Sequence, residues 1–171
     1  MKELFSLVIV TLIIIGIFQY RMKSTQERYE YLHSINAPVT GQVQKIAKGT
    51  KYTFTFRGKK YTKTTGKQMR SLIDGEKYTV FMDPNDPQNS IIDFHLPMYD
   101  TSRFTQACAT KIQFLSTGSS QLARFNFNYQ GQEFKRFHYA ARDSCFSTKP
   151  SMVWVKLSDP RISYLTCKPC F

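Results

Sequence analysis

The chain opens on an apolar run with no polar face. Leu4 to Tyr20 reads LFSLVIVTLIIIGIFQY, 17 residues without a charge. As a helix these residues rise about 25 Å, the short end of what a bilayer crossing needs. A cleaved leader requires small residues before its cut, and Ile15-Gly16-Ile17-Phe18 offers Gly16 alone. A helix buried in a water-soluble core would keep a polar stripe, and this run has none. The pattern predicts an uncleaved membrane anchor. Gln26–Ile35 then predicts a polar helical neck with Tyr29, Leu32 and His33 on one side. Ala37-Pro38 ends it, because proline disfavours helix in the residue before it. Lys2 and the α-amine precede the run, offset by Glu3, whereas Arg21, Lys23 and Arg28 follow it. The difference of about two charges does not fix the orientation.

Beyond residue 37 the period changes from helix to strand. Tyr52, Phe54 and Phe56 alternate with Thr53, Thr55 and Arg57, and Phe125, Phe127 and Tyr129 alternate with Asn126, Asn128 and Gln130. Such alternation puts one aromatic and one polar face on each strand. Arg57-Gly58-Lys59 and Gln130-Gly131-Gln132 place glycine where a tight hairpin needs positive φ. Lys60–Thr65 and Glu133–His138 read as return strands, and Lys77–Met82 and Ser151–Lys156 as fourth strands. Asp83-Pro84-Asn85-Asp86-Pro87 and Leu157-Ser158-Asp159-Pro160 are turns, since Asp bonds nearby backbone and Pro presets φ. Ser90–Asp93 and Ser163–Thr166 supply last strands, Val39–Ile46 and Ala109–Leu115 first ones.

The two halves are versions of one unit. At a fixed offset of 73, Lys51–Ile92 and Arg124–Leu165 share seven identities in 42 positions. These include Phe54/Phe127, Gly58/Gly131, Val80/Val153, Asp86/Asp159 and Pro87/Pro160, so the matches fall on aromatics, a turn glycine and a proline. Periods of this size mark tandem repeats. Five short strands per copy predict a mainly β fold: a transmembrane helix followed by two tandem small β-barrel or meander domains. The expected division is 1–36 anchor and neck, 37–94 first β domain, 95–106 linker and 107–171 second β domain. A unit of about 60 residues buries little core alone, so the copies are expected to pack on one another.

The order of Gly41 and Val43, the aromatic Phe54 and Phe56, the turn Gly58-Lys59 with Tyr61, and then Gly75, Tyr78, Val80, Asp83, Pro84, Asp86 and Pro87 resembles the bacterial domain-of-unknown-function 3592 family. The resemblance covers mainly the first copy. It implies small β domains joined to transmembrane helices, and no activity. In the second copy Leu157 stands where the first proline of the motif would be.

Composition narrows the function. The 171 residues carry a net charge of +12, with 42% hydrophobic and 15% aromatic residues. A chain this apolar and aromatic is not disordered. Arg57, Lys59, Lys60, Lys63, Lys67 and Arg70 place six cations in 14 residues. Such a cluster could track phosphates, but a solvated hairpin explains it better: the aromatics alternate onto the opposite face from Arg57 and recur in both copies as core residues would, and the second copy has Gln132 and Glu133 in place of Lys59 and Lys60. Anionic lipid or an acidic protein are other uses of the charge.

All four cysteines, Cys108, Cys145, Cys167 and Cys170, lie in the second copy. An oxidising compartment would make two disulfides. First and last strands neighbour one another in small barrels, which favours Cys108–Cys167 and leaves Cys145 to Cys170, with the swapped pairing also open. In the cytosol four thiolates could hold zinc, but the spacing C-x36-C-x21-C-x2-C has one knuckle where a zinc ribbon has two. His33, His95 and His138 show no ligand spacing, and Asp83, Asp86 and Asp93 lack a calcium loop's central glycine. No GxSxG, HExxH or phosphate-loop motif is present. The expectation is a non-enzymatic, cofactor-free binding module, anchored through residues 4–20 in a bacterial inner membrane. Its β domains face outward and hold a protein partner, as an immunity-type or accessory protein would. Nucleic acid is not the expected partner. The alternative is a cytoplasm-facing module that binds anionic lipid or nucleic acid through Arg57–Arg70.

Overall fold

One helix, α1 (Lys2–Ile35), precedes ten strands. The computed structural model describes residues 2–66, 69, 71–117, 120–141 and 148–170, apart from the side chains of 2–8, 116–117, 120–121 and 140–141. The helix runs unbroken through the expected neck and stops at Asn36, whose φ of 51° is left-handed, just before Ala37-Pro38. Among the described residues no helix is long and apolar enough to cross a membrane. Of the expected span Leu4–Tyr20, the side chains of Leu4–Val8 lie outside the described residues. What remains, Ile9–Tyr20, rises only about 18 Å, less than the hydrocarbon core.

The strands are β1 (Pro38–Ile46), β2 (Gly49–Phe56), β3 (Lys59–Thr65), β4 (Lys77–Met82) and β5 (Ser90–Pro97) in the first copy. The second has β6 (Phe104–Thr117), β7 (Ser120–Tyr129), β8 (Gln132–Ala141), β9 (Ser151–Lys156) and β10 (Ser163–Pro169). They form two five-stranded sheets with the orders β3-β2-β1-β4-β5 and β10-β9-β6-β7-β8. Read from the other edge, the second order is the first, strand for strand.

The registers match as well. Phe54 pairs with Tyr61 and Phe127 with Phe134. In both pairs the ring centroids are 5.4 Å apart and the planes 16° apart. Both hairpins turn on two residues of positive φ: Arg57 and Gly58 at 48° and 75°, Gln130 and Gly131 at 51° and 78°. That is the type I′ geometry a two-residue loop needs to match strand twist. The linker stretch is partly strand, because β5 runs on through His95 to Pro97, and a single 3-10 turn, Thr101–Arg103, leads into β6. β6 itself begins well before Ala109.

Neither sheet closes into the expected barrel. In the second sheet the two outer strands are β10 and β8. There the Leu165 N–H donates to a side chain, His138 Nδ1, at 3.2 Å, rather than to a strand carbonyl. The imidazole stands where a ladder rung would be, and the register of β10 against β9 shifts between Leu165 and Pro169. In the first sheet the outer strand β3 carries Lys59, Lys60 and Lys63, the charged edge that resists strand addition.

The chain divides into two compact units, Met1–Ala37 with Phe81–Ile91, and Pro38–Val80 with Ile92–Phe171. In the smaller unit the Asp-Pro turn grips the helical neck. Arg28 donates from Nε to Asn89 Oδ1 at 2.8 Å and from Nη2 to the Ser90 carbonyl at 3.0 Å. The Tyr31 hydroxyl donates to Asp83 at 2.9 Å. The His33 ring contacts those of Tyr29 and Phe81, with centroids 4.1 and 3.8 Å away and planes tilted by 35° and 36°. In the larger unit each copy buries its aromatic face. Tyr52, Phe54, Tyr78 and Val80 are buried in the first copy. Phe125, Phe127, Val153, Val155 and Leu165 form one cluster in the second. Burial of this kind supplies roughly 1.5–3 kcal/mol per large apolar side chain.

Candidate functional site

Among the described residues the basic cluster is divided between the two faces of its sheet. Lys59 and Lys63 pair across the ladder with Phe56 and Tyr52, so they lie on the aromatic side of the sheet, while Lys60 pairs with Thr55 on the other. The Arg57 guanidinium sits 5.0 Å from the Phe56 ring centroid and the Lys59 ammonium 5.7 Å from that of Tyr61. These cations cover their own hairpin's rings. Lys67 and Arg70 lie outside the described residues.

A disulfide joins Cys108 on β6 to Cys170, with Cα atoms 5.8 Å apart. Of the two pairings open for Cys108, the favoured one to Cys167 and the swapped one to Cys170, the structure has the swapped one. The chain passes Cys167 with its side exposed, and the register shift after Leu165 carries Cys170 back beside Pro150, whose carbonyl accepts the Cys170 N–H at 3.3 Å. Cys167 is itself disulfide-bonded. Cys145 lies outside the described residues. Three of the four thiols considered for zinc are therefore consumed, and the described residues contain no group of three metal-ligating side chains.

The two copies meet through buried polar groups that the sequence reading did not single out. Arg136 on β8 donates from Nη1 to the Ser71 carbonyl at 2.6 Å and from Nη2 to Glu76 Oε1. The other Glu76 oxygen accepts from the Ile73 N–H at 2.8 Å and the Tyr78 hydroxyl at 3.2 Å. The Glu76 side chain is fully enclosed and that of Arg136 nearly so. Burial pushes the Glu76 carboxyl upward, and the Arg136 guanidinium, the Ile73 N–H and the Tyr78 hydroxyl pull it back. Burial also raises Tyr78 and Tyr164, whose rings meet edge to face at 6.4 Å. His138, inward on the same strand as Arg136, is driven down to about 4 by burial and by the Arg136 and His95 charges. It is neutral at pH 7 and accepts at Nδ1, which leaves the proton on Nε2. Every oxygen of Glu76 is engaged and no solvent reaches it, so this cluster is built to join the copies rather than to meet a substrate.

The open surface lies beside it. A groove of about 960 Å³ runs over Thr40, Gln42 and Gln44 of β1, Thr53 and Thr55 of β2, and Lys60. A second hollow of about 450 Å³ shares Gln42, Gly75 and Lys77 with it and is bounded by Tyr99, Arg103, Phe104, Lys156 and Tyr164. Arg103 and Lys156 lie outside the predicted cluster. The signal that could have pointed to Arg136 and His138 was present, since the offset of 73 sets them opposite Lys63 and Thr65 in strands that otherwise match.

The remaining candidates have local roles. His95 lies 3.0 Å from Asp93 through Nδ1, and Asp83 and Asp86 accept backbone N–H bonds from Asn85 and Gln88 within their turn. The chain matches no family model, no curated protein and no solved structure.

Proposed function

We propose that this chain is a membrane-anchored, non-catalytic binding module of the bacterial envelope, holding a protein partner through its β domains. One observation carries the reading. On α1 the side chains of Ile9, Val10, Leu12, Ile13, Ile14, Ile15, Ile17 and Phe18 are all exposed, each by 43–64%. Apolar surface on every side of a helix is stable in lipid and a liability in water. With Leu4–Val8 included, the uncharged run reaches membrane length. The Cys108–Cys170 bond fits an oxidising compartment, and so favours β domains outside the cytoplasm.

The test is an impermeant thiol label on intact cells, with and without reduction, followed by co-purification from membranes. The proposal expects labelling only after reduction, and a co-purifying protein. Labelling only after lysis, with no need of reduction, would place the domains inside and overturn it. So would recovery in the soluble fraction.

A further inference from the structure

The two hollows are neighbours with Gln42, Gly75 and Lys77 lining both, and the buried cluster does not use the groove they offer together. Its floor has a period. Thr40, Gln42 and Gln44 are exposed at every second residue of β1, a repeat of about 6.8 Å. An extended peptide laid along that strand presents its own side chains at the same interval. Strand addition is not available here, because β1 is paired on both sides, by β2 and β4. Recognition must run through side chains.

The charge of the groove selects the peptide. Lys60, Lys77, Arg103 and Lys156 line it, against Asp74 and Asp100. Both acids are already engaged. Asp74 accepts the Lys45 N–H at 2.7 Å, and Asp100 accepts the N–H and hydroxyl of Ser102 at 3.0 and 2.8 Å. Only Arg103 has a carboxylate within ion-pair reach among the described residues, Asp100 at 3.8 Å and exposed. The aromatic wall does not suit nucleic acid. Tyr99 stacks on Tyr164 at 5.4 Å and 18°, and Phe104 on Tyr164 at 5.9 Å, so these ring faces are spent on one another rather than offered to bases.

We infer that this groove binds an extended acidic peptide segment of a protein partner, with Lys77, Arg103 and Lys156 reading its carboxylates and the Thr40–Gln44 ladder its spacing. The inference rests on the binding-module reading and names its site. The test uses the full chain in detergent and fluorescence anisotropy. The probe is a labelled peptide of about ten alternating Glu and Thr residues, compared with its Gln-Thr counterpart, an oligothymidylate of equal length and anionic-lipid vesicles. The expected result is preference for the Glu-Thr peptide by about tenfold or more, lost on raising salt. The variants K77E/R103E/K156E and the milder K77Q/R103Q/K156Q should each remove that preference, while K111E/K135E, on exposed lysines elsewhere, should keep it. Equal binding of the Gln-Thr peptide, tighter binding of the oligonucleotide or vesicles, or retained preference in both groove variants would overturn the inference. Co-purification separates the two readings. A partner that survives K77Q/R103Q/K156Q refutes the groove and leaves the module. Peptide binding with no partner recovered from membranes refutes the module and leaves the groove.

Discussion

Acid should weaken the fold at one buried residue, His138. Its imidazole is buried between the outer strands of the second sheet and is held near a pKa of about 4. In the unfolded chain it returns to about 6.5. Below 6.5 the unfolded state therefore takes up a proton that the folded state refuses, so stability falls as pH drops from 6.5 toward 4 and is level beneath that. Between pH 7 and 4.5 the loss is about 2.5 kcal/mol. Glu76, raised by burial, works in the opposite direction over the lower part of that range, so the whole protein is not the right readout. His138→Asn isolates the effect: its amide oxygen can accept the Leu165 N–H that Nδ1 accepts now, and it does not titrate. Urea unfolding of both proteins in detergent at pH 7, 5.5 and 4.5 measures it. The variant should be weaker at pH 7, because the ring's volume is lost, by about 1–3 kcal/mol. It should then decline less with acid, closing the gap to the natural protein by about 2.5 kcal/mol at pH 4.5. Parallel declines would refute the burial of a neutral imidazole at this position.

Other perturbations bear on other joints of the fold. Glu76→Gln or Arg136→Met alone strands a buried charge and should cost about 3–5 kcal/mol in urea unfolding, while the double variant should cost less than the sum of the two. Gly41→Ala would drive a Cβ into the Val80 side chain and should lower stability by about 1–3 kcal/mol; a neutral result would mean β1 and β4 are less closely packed than described. Reducing or replacing Cys108 and Cys170 releases a closure across 62 residues and should lower stability by up to about 4 kcal/mol, read from the urea midpoint. Arg28→Ala with Tyr31→Phe unlatches the neck from the Asp-Pro turn, and limited proteolysis should then cut within 83–89 faster than in the natural protein.

Much of this architecture is legible in the chain because it is local. Alternating aromatics, Arg57-Gly58 and Gln130-Gly131 set strand faces and hairpins within a few residues, and the offset of 73 carries the pattern through both copies. Closure is not local. Whether β10 reaches β8 depends on which side chain stands between them, and a histidine in a strand gives no sign that it will take the place of a ladder acceptor. The cysteine pairing stayed open for a related reason: the preference for Cys108–Cys167 assumed a closed barrel, and the register shift after Leu165 brings the alternative partner, Cys170, to Cys108. The Asp83–Pro87 turn was read from its own chemistry, and its grip on Arg28 and Tyr31 depends on a helix some 50 residues away in sequence.

The polar chemistry sits where the copies stop matching. At the shared offset Lys63 becomes Arg136, Thr65 becomes His138, Glu76 becomes Lys149 and Lys77 becomes Pro150. A symmetric pair of units would set Lys63 toward one glutamate and its equivalent toward another. Here a single Arg136 from one copy closes on a single Glu76 from the other, so the contact has one direction and one register. Buried ion pairs add little net stability over apolar packing, yet a wrong register would leave both charges buried and alone. The same asymmetry shapes the surface. Lys77 of the first copy lines the hollow with Arg103, just before β6, and Lys156 of the second copy, and no equivalent set recurs at the offset because Pro150 replaces the lysine. Two sheets of matching strand order thus differ at a few inward and edge positions, and those positions carry the joint between the copies and the lining of the hollow.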